Sequence, residues 1–91
     1  MRKVTKIVCS AFVNRQPKAM GNTTTDGQSL FLHGNMIARW INGSDLEVTN
    51  AGWPTTTTRE RLNGLPNVSV HQAKGVQYLN GAERDGSWKR V

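Results

Sequence analysis

The chain has 91 residues, and Leu, Ile, Val and Phe supply only 19 of them, enough for one thin core and no coiled coil. Twelve Lys and Arg against six Asp and Glu leave a net charge of +6, a field that attracts polyanions or an acidic protein face. The longest stretch free of charges and turn residues, Ile7 to Val13, is too short for a transmembrane helix, so no membrane association is expected.

In chain order, residues 4–14 are rich in β-branched side chains and are expected to form a first strand. Lys6 interrupts a loose likeness to a signal peptide there. Cys9 is the single cysteine, which excludes an intrachain disulfide and suits a reducing compartment. Turn signals then recur at Asp26-Gly27, Gly34-Asn35, Asn42-Gly43, Asn63-Gly64, Lys74-Gly75, Asn80-Gly81 and Asp85-Gly86. Short apolar runs between such signals indicate antiparallel β structure. Further strands are expected near 28–33, 36–41, 45–50, 67–72, 76–80 and 82–89, with Gly34-Asn35 closing a tight hairpin. A three-residue loop, Ala73 to Gly75, would place Val68, Val70, Val76 and Tyr78 on one face.

One helix is expected, from Thr55 to Asn63. Thr57 with Glu60 fits a capping box and Thr55 is an alternative cap; Asn63-Gly64 followed by Pro66 is a stop. A helix this short cannot stand alone and should dock through Thr58, Leu62 and Leu65. The expected fold is a single α+β domain over residues 1–91: a small antiparallel β-rich body of about seven short strands in hairpins, one short helix packed on the sheet, and a flexible first few residues.

The basic residues are unevenly spread. Residues 1–25 carry +5 with no acid, residues 26–58 carry −2, and residues 59–91 carry +3. A helix followed by a hairpin with Lys74 at its tip resembles half of a winged helix, yet Glu60 at the centre of the exposed helical face argues against insertion in a DNA groove. Phosphate contacts are expected instead from Arg39, Arg59, Arg61, Lys74, Arg84, Lys89 and Arg90, with Arg2, Lys3 and Lys6 as a flexible supplement. Trp53 and Trp88, next to turns, are the candidate exposed aromatics for stacking or for anchoring a protein partner. His33, His71 and Cys9 fall on separate segments without metal-ligand spacing, and Asp26, Asp45 and Asp85 belong to turns. No catalytic residue, metal or cofactor is therefore expected, and the protein is not expected to be an enzyme.

The strings Gly-Asn-Thr-Thr-Thr-Asp-Gly-Gln-Ser-Leu-Phe-Leu-His-Gly-Asn-Met-Ile-Ala (21–38), Thr-Asn-Ala-Gly-Trp-Pro (49–54), Thr-Thr-Arg-Glu-Arg-Leu-Asn-Gly-Leu-Pro (57–66) and Tyr-Leu-Asn-Gly (78–81) resemble a family of short proteins encoded by tailed bacteriophages and their prophages. The resemblance implies a phage origin and a place in the host bacterial cytoplasm, and it implies no activity. Members often carry aromatics where this chain has Gln77 and Arg84, so a surface built on that pair is not expected here. Two functions remain in view: low-specificity binding of DNA or RNA through phosphates, or binding of an acidic host protein as an inhibitor or modulator. Pairing of edge strands would in addition permit a homodimer.

Overall fold

The computed structural model describes residues 2–43, 45–50, 55–83 and 87–91. They form an α+β domain with helices α1 (Lys3–Val13) and α2 (Thr56–Leu62). The strands are β1 (Lys18–Met20), β2 (Thr23–Thr25), β3 (Ser29–Leu32), β4 (Asn35–Trp40), β5 (Leu46–Val48), β6 (Val70–Ala73), β7 (Val76–Leu79), β8 (Ala82–Glu83) and β9 (Lys89–Arg90). Six build an antiparallel sheet in the order β1-β2-β3-β4-β5-β9, and β6-β7-β8 form a separate meander.

The first segment departs from expectation: residues 3–13 are helical, not extended. Thr5, Val8, Cys9 and Phe12 are buried at spacings of three, one and three, which is the stripe of an α-helix lying on a core. Arg2 at the N-cap makes no side-chain cap, so packing rather than local capping holds this helix. Phe12 stacks on Trp40 with ring centroids 5.3 Å apart, and the Trp40 indole donates to the Phe12 carbonyl at 3.1 Å.

The hairpins at Gly34 and Lys74 differ by one residue from the sequence reading, the Asn80-Gly81 hairpin falls at its turn signal, and all three share one geometry. Leu32 pairs with Asn35, Ala73 with Val76 and Leu79 with Ala82, leaving the two-residue loops His33-Gly34, Lys74-Gly75 and Asn80-Gly81. Both residues of each loop have positive φ, for example 51° and 79° at Lys74 and Gly75. This geometry follows the right-handed twist of the flanking strands, and that gain outweighs the cost of a left-handed His, Lys or Asn. Val70 consequently pairs with Leu79 in the core, while His71 pairs with Tyr78 on the other face, their rings stacked 5.0 Å apart. The expected strand 82–89 is divided between the two sheets, as β8 and β9.

Helix α2 forms where its punctuation indicates, but the alternative cap and not the Thr57–Glu60 box starts it, because Glu60 is taken up by Arg2, Thr5 and Arg61. Thr55 caps it through the Thr58 amide, and Thr58, Leu62 and Leu65 are all buried. Asn63 then ties the helix end to the meander, its amide donating to the Val70 carbonyl at 2.9 Å and its oxygen accepting from the Val70 amide at 2.6 Å. Both helices pack on the same face of the six-stranded sheet, against a core that includes Leu30, Ala38, Trp40, Leu46 and Val48.

Candidate functional site

The residues nominated from sequence fall into separate places. Alternation along β4, β5 and β9 puts Arg39, Glu47 and Arg90 in one row on the sheet face opposite the helices. Arg39 pairs with Glu47 at 2.9 Å and Arg90 with Asp45 at 2.9 Å. The Arg39 guanidinium lies over the Trp88 ring, 3.9 Å from its centroid. Lys89 is exposed beside them. Arg59 reaches Gln72 at 2.7 Å, and exposed Lys74 caps the tip of the β6–β7 hairpin. Trp53 and Arg84 lie outside the described residues.

Arg61 is a correction. Its side chain is only 2% exposed, which leaves no surface to offer a phosphate. It donates to the hydroxyls of Thr23 and Thr5, both at 2.8 Å, and to the Glu60 carboxylate. Glu60 does not stand at the centre of a solvent face: it also accepts from the Thr5 hydroxyl and from the Arg2 amide at 3.3 Å. This cluster clasps α1 to α2 and β2. Burial by itself would raise the Glu60 pKa, but the hydrogen bonds from Thr5 and the Arg2 amide, with the Arg61 charge, outweigh it and hold the carboxyl below its ordinary value. Cys9, beside the clasp, is pushed up to about 11 by burial and by the Glu60 charge, against the lowering effect of Arg61. Its thiol is therefore protonated at neutral pH and no nucleophile.

Lys3 and Lys6, expected as a supplement to the phosphate contacts, belong to helix α1. Lys3 and Lys6 sit on the exposed face of α1 with Ser10 and Val13, opposite its buried stripe. Neither lysine forms an ion pair among the described residues, in contrast to Arg39, Arg61 and Arg90. An open groove of about 400 Å³ runs beside this face, between Lys6 to Asn14 and the Gly64–Pro66 turn. The signal was present in the sequence as lysines at 3 and 6 out of phase with apolar positions 8, 9 and 12. Exposed Lys18, on edge strand β1 next to α1, adds to the same side of the molecule.

A second concavity, of about 470 Å³, opens between the β3–β4 turn and the start of α2. Among the described residues no three His, Cys, Asp or Glu side chains gather as metal ligands, and no helix is long and apolar enough to cross a membrane. Residues 1–89 match the family model described as Kyanoviridae Gp96 protein. No curated protein and no solved structure matches the chain.

Proposed function

The chain belongs to the Kyanoviridae Gp96 family of phage proteins, and within that family we propose that it is a small non-enzymatic accessory protein that binds nucleic acid through its phosphates in the host cytoplasm. The observation that carries this reading is the acid-free, +5 stretch of residues 1–25, ordered so that Lys3 and Lys6 share one exposed helical face. Lys18, Lys74 and Lys89, also exposed and outside any ion pair among the described residues, extend the phosphate contacts. Arg39, Arg59 and Arg90 are secondary, because each must first release a partner of its own. Contacts of this kind neutralise charge without reading bases, so affinity falls steeply with salt and varies little with sequence. Anisotropy titrations of labelled DNA and RNA across a salt series test this. The variant Lys3→Glu/Lys6→Glu should weaken binding to every sequence alike and reduce the slope of log affinity against log salt by about one per lysine removed. Unchanged affinity and slope would refute the assignment.

A second reading, capture of an acidic host protein, is favoured by the Arg39–Trp88 stack on the sheet face that α1 and α2 leave uncovered. An aromatic ring with a guanidinium laid on it is a common interface anchor. Under this reading a host protein is recovered from nuclease-treated lysate by the parent chain and lost with Trp88→Ala; recovery by both chains would remove Trp88 from the interface.

A further inference from the structure

The cavity of about 470 Å³ beside the start of α2 is within the range of small-ligand sites, and its chemistry is selective. Its floor is apolar, made by Leu32 and Ile37, both members of the core. Its walls are polar: the amides of Asn35 and Asn50, the hydroxyl of Thr57 and the His33 ring. No Lys, Arg, Asp or Glu lines it among the described residues, so the lining suits a ligand without a full charge. A flat neutral ring with donors and acceptors on its edge matches such walls: one face rests on Leu32 and Ile37 while the edge meets the amides and hydroxyl. Among the described residues the side chains of Asn35 and Thr57 make no hydrogen bond within the protein, so both retain donors and acceptors for a ligand.

We infer that this cavity receives a nucleobase. The inference rests on the phosphate-binding reading in one respect only, the supply of the base by a bound strand. The path is short. Thr57 stands one helical turn before Glu60, and Glu60 accepts from the backbone amide of Arg2 at the start of the lysine-bearing helix. Seven residues of α2 span only ~10 Å, the reach of about two nucleotides. A strand crossing α2 from Lys3 and Lys6 can thus lower a base into the cavity, and a free nucleoside offers the same chemistry without the strand.

The experiment compares a short labelled single strand of mixed sequence with an abasic strand of equal length, and titrates the four deoxynucleosides into isotope-labelled protein observed by NMR. The base-bearing strand should bind about tenfold tighter than the abasic one. Asn35→Ala with Thr57→Val should abolish that advantage and leave abasic affinity unchanged, with resonances distant from the cavity unmoved as the check on folding. Nucleosides that shift the Asn35 and Thr57 resonances show that the base suffices; shifts produced by the strand alone show that the strand must deliver it. Equal affinity for the two strands, with no shift at Asn35 or Thr57, overturns the base site and leaves phosphate binding standing. If neither strand binds, the phosphate reading fails, and the nucleoside titration alone then upholds or overturns the cavity assignment.

Discussion

Arg61 shows how far a side chain's role depends on where its backbone puts it. From sequence it is one more cation beside Arg59; in the fold it is the best-buried charge among the described residues, with hydroxyl and carboxylate partners on α1, α2 and β2. Replacing it therefore tests folding and not binding. The clasp also carries a pH signature. Because the folded protein holds the Glu60 carboxyl below its ordinary value, the clasp contributes its full stability above the unfolded value of ~4.3 and loses it as pH falls through the lower, folded value. Glu60→Gln should be less stable than the parent at neutral pH, and its urea midpoint should decline less between neutral pH and about pH 3. Parallel declines in the two proteins would show that another carboxylate dominates; Asp26, whose pKa the Ser29 and Gln28 amides lower, is the first to examine.

At the scale of elements, the approach of α1 to the turn after α2 depends on a missing side chain. A Cβ on Gly64 would lie 2.5 Å from Thr5 Cγ2 and 2.9 Å from Cys9 Sγ, both on the buried stripe of α1. Gly64→Ala should destabilise by about 1–3 kcal/mol in chemical denaturation, as overpacked cores do. Adding Thr5→Ser, which removes the closest methyl and keeps the hydroxyl, should restore part of that loss; no restoration would place the strain at Cys9. Legibility in the sequence followed the same division. Helix α2 could be read because Thr55, Asn63-Gly64 and Pro66 mark its ends by local backbone chemistry. Helix α1 could not, because Val4, Thr5, Ile7 and Val8 favour strands locally and only the core behind Val8 and Phe12 decides otherwise. That one element moved the candidate surface, since lysines on a strand or a loose end do not share a face as Lys3 and Lys6 do. The Asn80-Gly81 turn was legible to the residue, whereas those at Gly34 and Lys74 were legible only as places, because X-Gly pairs fit loops of two or three residues equally well until cross-strand packing chooses.

Over the whole molecule, charge and rigidity are both divided. The helix-bearing side carries lysines without an ion pair among the described residues, while the opposite sheet face matches Arg39 with Glu47 and Arg90 with Asp45. Rigidity separates the six-stranded sheet, backed by α1, from the meander, which is held through α2, the Asn63–Val70 pair and a 3.5 Å contact of Asn50 with Gln77. Among the described residues these polar ties stand beside the apolar contact of Val70 and Leu79 with the shared core, and an element outside the larger sheet opens at lower free energy than that sheet's central strands. Amide hydrogens of β6 and β7 should accordingly exchange before those of β3 and β4 in native-state experiments, and simultaneous exchange would show one cooperative unit.

The clasp between α1 and α2 joins residues 56 positions apart, Thr5 to Arg61. During synthesis the apolar stripe of α1 leaves the ribosome first and waits for its fastener, roughly 3–10 s at ~5–20 residues per second. For that interval Val8 and Phe12 have no finished core to enter, and the nascent chain shows to water the surface that its folded form hides.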